Sequence, residues 1–115
     1  MSNPITAIVI PADSAVAAYA TTTNGLDDFQ RLTGGDIEPV TGPGWTAYLD
    51  EEGKVKGRAA NDRADHFMHW VSPCGLAAWD TIVGDVVLVG PVDDEGDDTA
   101  APQVVAEHFG VTLSA

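Results

Sequence analysis

The chain has 115 residues, with 18 Asp and Glu against 5 Lys and Arg and a net charge of −13. One domain suits that length, and an acid excess of this size is repelled by phosphate backbones and anionic lipid, which sets aside direct nucleic-acid binding and membrane docking. Apolar residues make up 44% of the chain, enough to offset the entropy of ordering, and the single Cys74 excludes an intramolecular disulfide and a four-cysteine zinc site.

In chain order, Ile5-Thr6-Ala7-Ile8-Val9-Ile10 is rich in β-branched residues and closed by Pro11, and residues 15–23 form a weaker second run, so the two predict a hairpin. After Asn24-Gly25, the recurrence of Leu26, Phe29, Leu32 and Thr33, with Asp27 and Asp28 in the first turn, predicts a helix over 25–33 that stops at Gly34-Gly35. Residues 37–40 and 45–49 read as strands around the turn Thr41-Gly42-Pro43-Gly44. The polar run ending at Gly53 predicts a hairpin loop, with the meander continuing to about Gly57.

Asn61 or Asp62 caps a predicted helix over 62–71, whose face is Ala64, Phe67, Met68 and Val71 and which Ser72-Pro73-Cys74-Gly75 breaks. Residues 76–79 are ambiguous. Residues 81–90 carry the clearest strand signal, bent at Gly84-Asp85, and belong at the centre of the sheet. Asp93, Asp94, Glu95, Asp97 and Asp98 form an exposed acidic loop. Pro102 opens a last helix with Val104, Val105, His108 and Phe109 facing inward, and residues 111–113 are expected to add a short edge strand. Strand meanders and isolated helices without βαβ alternation define a single α+β domain over 1–115, with a mainly antiparallel sheet of five or six strands flanked by two or three helices.

Several stretches resemble a known family: Gly34-Gly35-Asp36-Ile37-Glu38-Pro39-Val40, then Asp50-Glu51-Glu52-Gly53-Lys54-Val55-Lys56-Gly57 with Asn61, then Ile82-Val83-Gly84-Asp85-Val86-Val87-Leu88-Val89-Gly90. In order and spacing they are similar to the family catalogued as domain of unknown function 3846. The chain departs from that pattern at Arg58-Ala59-Ala60, where the family carries Leu-Pro, and between His66 and Trp79, where it is longer. The resemblance implies a protein of phages, plasmids and their bacterial hosts working in the cytoplasm, and it supplies no catalytic residues. The N-terminal residues, with no Lys or Arg and a short apolar run, agree with a cytoplasmic setting.

The remaining chemistry is sparse. Lys54, Lys56, Arg58 and Arg63 share a window of charge +3, against −7 for residues 1–53 and −9 for 64–115; local neutralisation of the chain's own acids is preferred over an anion-binding loop. His66 and His69, with Asp62 and Asp65, have helical metal-ligand spacing but lack a third well-placed ligand, so no metal is expected. Cys74 lies in acidic or apolar surroundings, without the neighbouring cations that activate a thiol, and it reads as structural. No phosphate-binding glycine loop or calcium loop is complete, so no cofactor and no catalytic residue is assigned. Trp45, Trp70 and Trp79 are each expected in the core, with Trp70 and Trp79 the ones expected at the surface if any is.

The expected function is a non-enzymatic accessory protein that binds a host protein, with a homodimer as its expected assembly. The partner-binding candidates are Asp93, Asp94, Glu95, Asp97, Asp98, Trp70 and Trp79. One alternative is a DNA mimic that inhibits a host nuclease or regulator. Another is a small-ligand or nucleotide-related enzyme whose site is not recognisable in the sequence.

Overall fold

The computed structural model describes residues 4–77 and 79–113. Ala78, within the stretch left ambiguous above, lies outside them, as do the first three and last two residues of the predicted 1–115 domain. Five strands form one sheet: β1 (Ile5–Ile10), β2 (Tyr19–Thr23), β3 (Ile37–Gly42), β4 (Trp45–Asp50) and β5 (Val86–Val89), in the order β2-β1-β5-β4-β3. Every neighbouring pair is antiparallel. Three helices accompany the sheet: α1 (Leu26–Thr33), α2 (Asp62–His66), which runs on into a π-helical turn (Phe67–Val71), and α3 (Gln103–His108). The fold is therefore the expected α+β arrangement.

The central strands are buried on both faces, which explains why β1 and β5 read as nearly continuous apolar runs. Ile8, Ile10, Trp45, Ala47, Val86 and Leu88 face Phe67 and Met68 of the π turn and Val105 and Ala106 of α3. Ala7, Val9, Tyr48, Val87 and Val89 face Phe29 of α1. α1 ends where predicted, because Gly34 takes the left-handed conformation (φ 89°) and its N–H closes on the Gln30 carbonyl.

Five expectations are corrected. Residues 53–57 are not a strand but successive turns; Val55 is 86% exposed, and the curl returns Lys56 and Arg58 to Asp50. The strand expected over 81–90 is confined to Val86–Val89, because Gly84 turns the chain (φ 77°), Asp85 accepts from the Ala12 N–H, and Val83 makes only a single bridge with Ala60. In α3 the inward stripe is Ala101, Val105, Ala106 and Phe109, leaving Val104 72% exposed and His108 at the surface. Residues 111–113 add no strand, since the Val111 N–H turns back to the Ala106 carbonyl and completes the helix stop. The second hairpin arm likewise begins only at Tyr19, because Arg63 holds the carbonyls of Pro11, Asp13 and Val16 in the connecting loop.

Two polar side chains lock this arrangement. Asn61 is wholly buried; its amide donates to the carbonyls of Ile10 (2.8 Å) and Gly84 (2.9 Å), and its oxygen accepts from the Ala64 N–H (3.1 Å) to cap α2. Asp50, whose side chain is also buried, accepts from Lys56 Nζ at 2.9 Å, Arg58 Nε at 2.8 Å and the Glu52 N–H at 2.9 Å. Arg58 and Lys56 extend to the Gly34 carbonyl, tying the end of α1 to the same carboxylate. Burial alone would raise the Asp50 carboxyl; the hydrogen bonds from Lys56, Arg58 and Glu52 outweigh it and bring its pKa down from 3.8 to about 2.

Asn61→Ala leaves two buried carbonyls unsatisfied and removes a cap, so urea titration should show a loss of about 3 kcal/mol. Because the Asp50 pKa is depressed on folding, its contribution is complete above the ordinary carboxylate range and disappears as pH falls through about 4 to about 2. Asp50→Asn should therefore be less stable than the parent near neutrality and lose less stability over that acid interval, as read by thermal melts at stepped pH.

Candidate interaction surfaces

All five cations are committed within the chain. Lys56 and Arg58 hold Asp50, Lys54 pairs with Asp80, Arg31 with Asp28 (3.3 Å), and Arg63 binds backbone carbonyls. The cationic window is thus internal bracing, and the surface offered to a partner is set by carboxylates and by exposed apolar groups.

The acidic loop is a closed turn. Asp93 Oδ1 accepts the N–H groups of Glu95 and Asp97, both at 2.9 Å, and the Asp93 N–H donates to the Asp97 carbonyl. Asp98 is tied down separately, accepting from the Tyr48 hydroxyl; Tyr48 is stacked on Phe29, 4.6 Å between ring centroids. Burial, the hydrogen bond to Asp98 and the charge of that carboxylate all push the Tyr48 hydroxyl pKa upward, so it stays a donor. Of the five candidate carboxylates, Asp93 and Asp98 shape the loop, while Asp94, Glu95 and Asp97 project into solvent.

The reading of the tryptophans as core residues holds for Trp45 alone, and the two exposed ones are those singled out for the surface. Trp45 is buried, its indole N–H donating to Ser72 Oγ at 2.8 Å and its ring 5.5 Å from Phe67, whereas Trp70 is 75% exposed and Trp79 is 83% exposed. The cause of Trp70's exposure is local. Phe67 and Met68 occupy the inward side of the π turn, whose widened coil closes through the Ser72 N–H on the Phe67 carbonyl and directs Trp70 and Val71 outward. The π turn is tied to the segment that carries Trp79 by His69, whose Nε2–H donates to the Asp80 carbonyl at 2.7 Å. Trp70 and Trp79 are the sequence neighbours of the two residues so joined.

Val71, next to Trp70 in the chain, opens onto an apolar groove of about 710 Å³ between the β3–β4 turn, the π turn and α3. Pro43, Trp45, Phe67, Val71, Val104 and Val105 line it, with Glu107 and His108 at the rim. The groove and the tryptophans lie on the α2 and α3 side of the sheet, whereas the Tyr48 anchor of the acidic loop belongs to the α1 side. The structure therefore separates the two candidate sets instead of joining them. Sequence reasoning missed the groove: Val104 was placed inward, and nothing in the chain marks the π turn that opens the space beside it.

The nucleophile and metal candidates are engaged elsewhere. Cys74 is half-buried, with its thiol directed at the Met68 carbonyl at 3.5 Å, while Asp65 accepts from the Ile82 N–H and lies 3.9 Å from His69. Among the described residues no three His, Cys, Asp or Glu side chains gather as a metal site would require. No helix among them is long and apolar enough to cross a membrane.

These features define a small α+β domain with a five-stranded antiparallel sheet, a capped and braced interior and an exposed aromatic face. The chain belongs to the family described as Domain of unknown function (DUF3846), whose model matches residues 5–112. No curated protein and no solved structure matches it. The motifs that carry the family likeness fall largely on the two polar locks: Gly34, Asp50 and Lys56 around one, Asn61 and Gly84 around the other.

The difference among the tryptophans is directly measurable. Acrylamide should quench most of the emission of the parent and of Trp45→Phe, whereas the Trp70→Phe/Trp79→Phe double variant should retain a blue-shifted, protected signal from Trp45 alone.

Proposed function

We infer that this domain is a non-enzymatic binding protein that engages a protein partner through Trp70, Trp79 and the adjoining groove. The observation that supports this reading is the exposure of two tryptophans, carried on segments joined by the His69–Asp80 bond, in a domain that buries its third. Large aromatic side chains left in water cost free energy that a partner's pocket recovers, and such residues dominate binding energy where they occur. The net charge of −13 selects the partner's character: an apolar anchor set among basic residues. The family likeness adds the setting, a phage or other mobile element acting on a host factor in the bacterial cytoplasm. A second reading, the DNA mimic, draws support from Asp94, Glu95 and Asp97, displayed on a hydrogen-bonded turn.

One comparison separates these readings. The tagged protein captures its partner from host lysate, and affinity is then measured for Trp70→Ala, Trp79→Ala and the triple amide variant Asp94→Asn/Glu95→Gln/Asp97→Asn. Loss of roughly thirtyfold or more with either tryptophan change, and little with the amides, is the expected result. Binding that instead fails with the amides, in high salt and against competing DNA supports the mimic. A metabolite retained by the purified protein, with turnover lost on changing His66, His69 or Cys74, would favour the small-ligand enzyme and overturn both.

A further inference from the structure

The two edges of the sheet differ in what they offer a neighbour. β3 is blunted, since Glu38 places a charge on it and Pro39 has no N–H to donate. β2, Tyr-Ala-Thr-Thr-Thr, has neither device, and among the described residues it pairs with β1 alone. Its outer backbone groups are left without a ladder partner. The strand lies within residues 14–26, the longest stretch of the chain without Asp, Glu, Lys, Arg or His. Val16 and Leu26, near the two ends of that stretch, are both exposed.

We propose that β2 pairs antiparallel with β2 of a second copy across a two-fold axis at Thr21, joining two five-stranded sheets into one of ten strands. Charge selects this occupant. Two chains of charge −13 repel each other over most of their surfaces and can approach only where neither carries a charge. A cationic partner has the opposite preference and gains nothing at a neutral strip. The sequence is also self-complementary in this register: Thr21 faces its own copy, Tyr19 faces Thr23, and Ala20 faces Thr22. Each of these pairs combines residues that suit a pleated surface, and none sets like charges opposite each other. A five-residue strand pair buries little area on its own, so Val16 and Leu26 supply the apolar flanks. This interface uses none of the residues of the tryptophan face, and it stands or falls independently of the function proposed above.

Sedimentation equilibrium of the intact protein over a micromolar concentration range tests the proposal. The expected result is a monomer–dimer equilibrium that tightens as salt is raised, because screening relieves the repulsion between the two acidic chains. Thr21→Glu, which sets two carboxylates face to face on the axis, should weaken it by roughly tenfold or more, while Trp70→Ala/Trp79→Ala leaves it unchanged. Should Thr21→Glu fail to fold, cysteine pairing decides: in a Cys74→Ser background, Thr21→Cys should oxidise to a covalent dimer faster than Thr22→Cys. A protein that stays monomeric across the range, a dimer lost with the tryptophans, or equal cross-linking at the two positions would overturn the proposal.

Discussion

A buried amide holds this fold at its most crowded junction. Asn61 reaches the end of β1, the turn before β5 and the first turn of α2 with one side chain, and it has no access to water. An amide in that position is tolerable only when its donors and acceptor are all used, so its three bonds act together. The consequence is positional. By fixing where α2 begins, Asn61 sets the register of the π turn that follows, and with it the side chains that face the core and those that face out.

Asp50 performs the complementary task on the other side of the sheet. Its carboxylate gathers Lys56 and Arg58, and these in turn hold the glycine that ends α1. Gly84 belongs to the same packing, since a Cβ there would lie 2.9 Å from Arg58 Cδ. A chain with five cations places two of them on one carboxylate, a third on Asp80 and a fourth on backbone carbonyls. What looked in the sequence like a basic segment is consumed as internal structure, and the acidic surface is left uncompensated. That division of labour is the reason partner chemistry here is read from the carboxylates and tryptophans.

Much of this was legible in the sequence where the signal was local. The β-branched runs of β1 and β5, the glycine stop after α1 and the asparagine before α2 each act through their own few residues, and each lies where its chemistry directs. The errors arose where tertiary contacts decided the outcome. Val55 to Gly57 follow a loop as a strand would, yet Lys56 and the adjoining Arg58 are pulled back to Asp50. Val104 and Val105 are indistinguishable by type, and only the seating of Ala101 on β1, through its N–H to the Thr6 carbonyl, decides which of them turns inward. The link between the segments that carry Trp70 and Trp79 is a bond between a histidine ring and a backbone carbonyl, for which sequence carries no marker.

The position of β5 bears on how the chain reaches this state. It is the last strand in sequence and the middle strand in space, lying between β1 and β4 and paired with both. Until residues 86–89 leave the ribosome, the two earlier hairpins have no ladder connecting them, and each exposes the inner edge that β5 will cover. The two ladders that join the hairpins are therefore of long sequence separation, and pairings of that kind form slowly. Through that interval the nascent chain carries two open β-edges, held apart from other chains chiefly by its own negative charge.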